Sequence, residues 1–136
     1  MRIPKIRIAV VPLVTGLLTS STLVAQEISG LQATVVDTAA TLTISVTIDE
    51  PALSKTVFVQ VNQNDGSAVF AKAFPVVLVN DNYYLKDGDR HHSIQPGFNQ
   101  FFFPFEDRLD KPRLTFFIQD NQGNYSNKLS ATIDQK

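Results

Sequence analysis

An all-β fold, an antiparallel β-sandwich of seven to nine strands, is what this sequence predicts. Three observations lead there. Apolar and polar residues alternate with a period of two through most of the chain, as they do where a strand has one buried and one wet face. Turn residues interrupt that alternation about every ten to fifteen residues, the rhythm of a sandwich. No segment after the N-terminal stretch keeps the i, i+3, i+4, i+7 spacing of an amphipathic helix beyond a single turn.

The first 25 residues stand apart. Arg2, Lys5 and Arg7 form a short basic region, and an apolar run over residues 8–18 follows, broken by Pro12, Thr15 and Gly16. A small, polar stretch then leads to Leu23-Val24-Ala25. This order reads as a secretory signal peptide over residues 1–25, cut after Ala25, so that Gln26 begins a single mature domain over residues 26–136. The apolar run is shorter than the roughly 20 residues a membrane-spanning helix needs. The chain has no cysteine, so neither a lipid-anchored terminus nor a disulfide is open to it. The expectation is a periplasmic or secreted bacterial protein without a membrane span.

Within the mature part, residues around Val35 make a first strand. Leu42, Ile44, Val46 and Ile48 alternate with Thr41, Thr43, Ser45 and Thr47 in the next. Val57, Val59 and Val61 repeat the pattern, as do Leu114, Phe116 and Ile118, and finally Leu129, Ala131 and Ile133. Between them, Asp49-Glu50-Pro51 ends a strand and Asn64-Asp65-Gly66 signals a hairpin, because Asp-Gly accepts positive φ. Asp87-Gly88-Asp89 is a further turn, Pro96-Gly97 suits the centre of a type II turn, and residues 120–124 join the last two strands.

Charge narrows the partners. Three of the 12 Lys and Arg lie in the signal, leaving nine against 13 Asp and Glu, a mature net charge of −4. No basic run occurs, and nucleic acids and anionic surfaces need clustered Lys and Arg. Nucleic acid is therefore not expected as a partner.

The groups that chemistry would need do not converge. His91-His92 are the only histidines; as neighbours on a strand they point to opposite faces and do not supply the three or four ligands of a zinc site. Asn80-Asp81-Asn82, Asp87-Gly88-Asp89 and Asp120-Asn121 offer oxygen ligands to calcium, but without the spacing of a calcium loop, and the same residues fill turns for conformational reasons. No Gly-x-Ser-x-Gly elbow and no Cys nucleophile is present. The acid pairs Asp49-Glu50 and Glu106-Asp107 sit at strand ends rather than facing one cleft. No cofactor, no metal and no enzymatic activity are expected.

The most unusual segment is residues 98–105, Phe-Asn-Gln-Phe-Phe-Phe-Pro-Phe. In a strand, Phe101, Phe103 and Phe105 share one face, and Phe102 with Pro104 takes the other. In the Leu114, Phe116, Ile118 strand it is Phe117 that points outward. A sandwich strand has one core face, so Phe102 and Phe117 are either exposed for a partner or covered, the Tyr83-Tyr84-Leu85 segment being the candidate cover. Phe102, Phe117, Tyr83 and Tyr84 form the candidate aromatic binding patch. Pro104 lacks a ladder donor, which fits an edge strand or a bulge.

The last quarter, with Leu114 to Gln119 in alternation, then Asp120, Gly123, Asn124 and Ser126, then the alternation from Leu129 to Ile133, resembles the end of bacterial immunoglobulin-like or fibronectin type III-like modules. The resemblance covers about twenty residues. It implies an immunoglobulin-like sandwich, without the Cys pair and core Trp of antibody-type domains, and such modules serve as adhesins, spacers and binding domains alike. The function expected is an exported, non-enzymatic binding or structural module acting through contacts with another protein or with itself. A carbohydrate-binding module is the alternative, disfavoured by the lack of Trp; a small secreted enzyme or enzyme inhibitor is the third reading.

Overall fold

The computed structural model describes residues 25–105 and 108–136; residues 1–24 of the signal peptide expected over residues 1–25, and the pair Glu106-Asp107, lie outside the described residues. Nine strands carry the fold: β1 (Ile28–Val36), β2 (Thr41–Ile48), β3 (Thr56–Asn62), β4 (Ala68–Val79), β5 (Asn82–Asp87), β6 (Arg90–Ile94), β7 (Gly97–Pro104), β8 (Arg113–Gln119) and β9 (Leu129–Gln135). Two short 3-10 turns, Asp37–Ala39 and Pro51–Leu53, are the only helical pieces among the described residues.

The alternation read from the sequence sets the core. Leu42, Ile44, Val46 and Ile48 of β2 are fully buried, with the intervening Thr and Ser half-buried on the outer face. Val57, Val59 and Val61 of β3, and Leu114, Phe116 and Ile118 of β8, are buried in the same way. Phe101 and Phe103 of β7 complete the centre. The strands lie in one sheet in the order β6-β5-β4-β3-β8-β9-β1-β2-β7.

The sheet departs from the expected sandwich in two respects. It is a single, nearly closed, barrel-like sheet, and it is mixed: β1 runs parallel to β9, Ala33–Val35 opposite Ile133–Gln135, while the other strand pairings are antiparallel. The pairing of β1 with β2 shifts register between Ser29 and Gln32, where Gly30 takes φ +69°. Glycine accepts that conformation without a Cβ penalty. β1 pairs with β2 on one side and with β9 on the other, and so joins β2 and β7 to the rest of the sheet. Across the interior, Phe103 of the end strand β7 stacks on Phe74 of β4 (5.0 Å between centroids, 14°) and meets His92 of β6 at 4.8 Å. The far ends of the sheet are therefore packed around one core.

The segment over Tyr83-Tyr84-Leu85 is not a covering loop but the middle of β5, with Leu85 in the core. The reason is the turn before it. Asn80 and Asp81 both have positive φ (51° and 65°), and Val79 pairs with Asn82, so a two-residue turn folds β4 onto β5. Asn and Asp tolerate this region better than other side chains. β4 changes partner along its length. Residues up to Pro75 pair with β3, and those from Val76 pair with β5. Pro75 has no N–H to give to a ladder and stands where the exchange occurs.

Candidate interaction surfaces

Phe117 sits on β8 between β3 and β9, with its side chain on the outer face. It lies opposite Phe58 of β3, and the two rings stack at 4.8 Å and 12°. Tyr125 meets Phe117 edge-on at 5.8 Å, and Lys128 Nζ stands 4.9 Å from the centre of the Phe117 ring. Beside the pair runs a shallow groove of about 240 Å³ whose lining includes Phe58, Gln60, Ala71, Ala73 and Phe117. The cover of Phe117 is thus its cross-strand neighbour and the following turn, not β5.

Phe102 stands elsewhere. It is on β7 opposite Thr43, at one end of the sheet, with β9, β1 and β2 between its strand and that of Phe117. The two rings therefore do not form one patch. Phe102 is 49% exposed, and Phe98, two turns of the alternation earlier on the same face, is 60% exposed. Gln100 lies between them, also exposed. Among the described residues, the side of β7 away from β2 has no strand partner.

Tyr83 and Tyr84, as neighbours on β5, point to opposite faces. Tyr83 packs partly against the core and lines a cleft of about 490 Å³ with Asp49, Glu50, Asp81, Ser93 and Gln95 among its walls. Tyr84 faces the other way and meets the His91 ring at 5.5 Å. The four aromatic residues singled out in the sequence are therefore divided among separate surfaces. Phe58 and Phe98 belong to two of these, and the alternation signals both: Phe58 falls between the inward Val57 and Val59, and Phe98 has the parity of Phe102.

Several of the polar groups are engaged in structural work. His92 Nε2 lies 3.3 Å from Asp87 Oδ2, while His91 is on the opposite face. No group of three or more His, Asp or Glu side chains converges on one point among the described residues. Asp120 Oδ1 accepts the amide protons of Gln122 (2.8 Å) and Asn124 (2.9 Å), and Gly123 takes φ +85°. The turn that carries the module resemblance is held as its residue types suggest. Ser126 Oγ accepts from the Ile118 amide (2.8 Å) and donates to the Asn127 carbonyl (2.9 Å). Asp65 Oδ1 accepts from both the amide and the hydroxyl of Ser67, at 2.9 and 2.6 Å. These bonds favour its charged form and hold its carboxyl below the usual value, the hydroxyl being the larger cause.

The chain matches no known family model and no curated protein.

Proposed function

We propose that this is an exported, non-enzymatic module with an immunoglobulin-like arrangement of strands, acting through contacts with other polypeptides. The observation that carries the reading is β7. Among the described residues it is an end strand with an unpaired edge, and it places Phe98 and Phe102 half-exposed on one face. Exposed large apolar side chains on an open strand edge suit an extended polypeptide, which takes the edge's hydrogen bonds and buries the rings at once. The immunoglobulin-like reading draws support from the Asp120 turn and from β1 lying between β2 and the last strand, β9. The non-enzymatic reading draws support from Ser126, Asp65 and Asp120, whose side-chain oxygens are taken up in turns and strand ends.

The Phe58–Phe117 surface gives less to a carbohydrate than its ring count suggests. A sugar stacks on an open ring face, yet Phe58 and Phe117 spend a face on each other, and Lys128 lies over Phe117.

The test places a photo-reactive benzophenone amino acid at position 102, and separately at position 117, of the full chain in the organism that makes it. Irradiation is expected to give an adduct of defined mass from position 102. An absence of any adduct from position 102 would overturn the proposal.

A further inference from the structure

Over residues 98–102 the outward face of β7 reads the same in both directions. Phe98, Gln100 and Phe102 are exposed there, with one aromatic residue on each side of a glutamine, and Pro104 is the further exposed position at the strand's end. Gly97–Pro104 contains no ionisable side chain, on a domain whose mature part is acidic. Natural edge strands are guarded by Lys, by bulges or by cover. Here the guard is Pro104 at the very end, and among the described residues β2 alone pairs with the strand. Between Phe98 and Phe103 the described backbone has one side-chain partner, Gln95 Nε2 on the Phe98 carbonyl at 3.2 Å.

We infer that two copies of this chain pair antiparallel through β7, with the two-fold axis at Gln100. This deepens the proposed function and rests on its reading of β7 as the contact strand; the partner is a second copy. In that register Phe98 of one copy lies opposite Phe102 of the other, twice, and the two Gln100 side chains lie opposite each other. Facing aromatic residues are favourable cross-strand pairs, and amide groups can donate to and accept from their own kind. An isologous contact needs a surface complementary to itself, and an alternation that is symmetric about one residue supplies it. The absence of charge matters equally. Two copies of an acidic domain repel each other in general, but an uncharged strand brings no like charges into contact. A ring buries about 150–250 Å² when fully covered, and about half of each is still open. The four rings then add on the order of 400 Å², short of the roughly 1,000 Å² that a stable specific interface buries. The pair is accordingly a reversible one.

The experiment is sedimentation velocity on the exported protein, across micromolar to submillimolar concentrations, with the charge variants Gln100→Glu and Gln100→Lys. Gln100 is exposed, so both variants should fold, and their melting curves would be compared with the parent. The parent is expected to dimerise. Each variant alone should self-associate at least about tenfold more weakly, because the register sets like charges face to face. An equimolar mixture of the two should regain the dimer. A parent that stays monomeric throughout, single variants that dimerise as the parent does, or a mixture that stays monomeric would each overturn the inference. The photo-adduct from position 102 separates the two proposals. An adduct of twice the chain mass supports both, one of another mass keeps the contact reading and overturns self-pairing, and none overturns both.

Discussion

The side chain of Asn127 pairs with the backbone of Ile28, 99 residues earlier, as another strand would: its Oδ1 accepts the Ile28 amide proton and its Nδ2 donates to the Ile28 carbonyl, both at 2.9 Å. This amide ties the beginning of β1 to the segment before β9, just outside the short parallel stretch those strands share. Asn127→Ala should therefore destabilise the domain by about 1–3 kcal/mol, the usual cost of leaving partly buried backbone groups unpaired. Asn127→Asp should be worse at neutral pH, since a carboxylate turns a donor into a second acceptor facing the Ile28 carbonyl. Its deficit relative to the parent should shrink as pH falls, because the protonated carboxyl regains a donor. Denaturant unfolding of the parent and both variants at two pH values checks this; equal deficits for Asn127→Asp at both would refute it.

Phe116 is fully buried on β8, between Leu114 and Ile118 on the inward face. Phe116→Ala should cost about 3–5 kcal/mol, from lost transfer energy and the cavity left behind. A loss below about 1 kcal/mol in equilibrium unfolding would mean that the strand presents its other face to the core.

The inward faces of β2, β3 and β8 were legible because their alternation is uninterrupted and each strand buries one side. The hairpin at Asp65-Gly66, the turn at Pro96-Gly97 and the Asp120 turn were legible because their residue types match the dihedral angles needed; Gly66, Gly97 and Gly123 have φ of 88°, 97° and 85°. What was not legible is long-range. Nothing local to Gly30 states that β1 will pair with two strands of opposite sense. Nor does the alternation of Phe102 and Phe117 say which strands will lie between them. β5 was hidden because Tyr83 and Leu85 share a face that is only partly buried at Tyr83, giving a weak alternation. The patch of four aromatics failed for the same reason: parity along a strand is local, whereas adjacency between strands is a property of the whole sheet.

Asp65 offers a pH test with a definite sign. Its carboxyl is held below its ordinary value of 3.8 by the Ser67 hydroxyl and amide. A group whose folded pKa is depressed adds stability that is present above the unfolded value and is lost as pH falls through the folded one. The stability advantage of the parent over Asp65→Asn should therefore be constant at neutral pH and decline below about pH 3.8. The group is fully solvent-exposed, so the effect will be small. Side-chain carboxyl chemical shifts followed by NMR titration give the direct reading, with Ser67→Ala expected to return the Asp65 midpoint toward its ordinary value. A midpoint at or above 3.8 in the parent would contradict the hydrogen-bond geometry.

The two outward phenylalanines should respond differently to the same substitution. Phe117 is stacked on Phe58, touched edge-on by Tyr125 and capped by Lys128. Phe102 faces Thr43 across the pair and is about half exposed. Phe117→Ser removes packed ring contacts and should cost about 1–3 kcal/mol, whereas Phe102→Ser should stay within about 0.5 kcal/mol, as exposed sites usually do. Three strands separate them, so the double variant should equal the two single effects to within about 0.3–0.5 kcal/mol. Phe58 is the proper partner for a coupling measurement. A cycle with Phe58→Ala and Phe117→Ala should return an interaction of about 0.5–1.5 kcal/mol, the range for packed ring pairs. Strong coupling between positions 102 and 117 in the monomer would show that the rings meet after all, and would contradict the strand order that sets them apart.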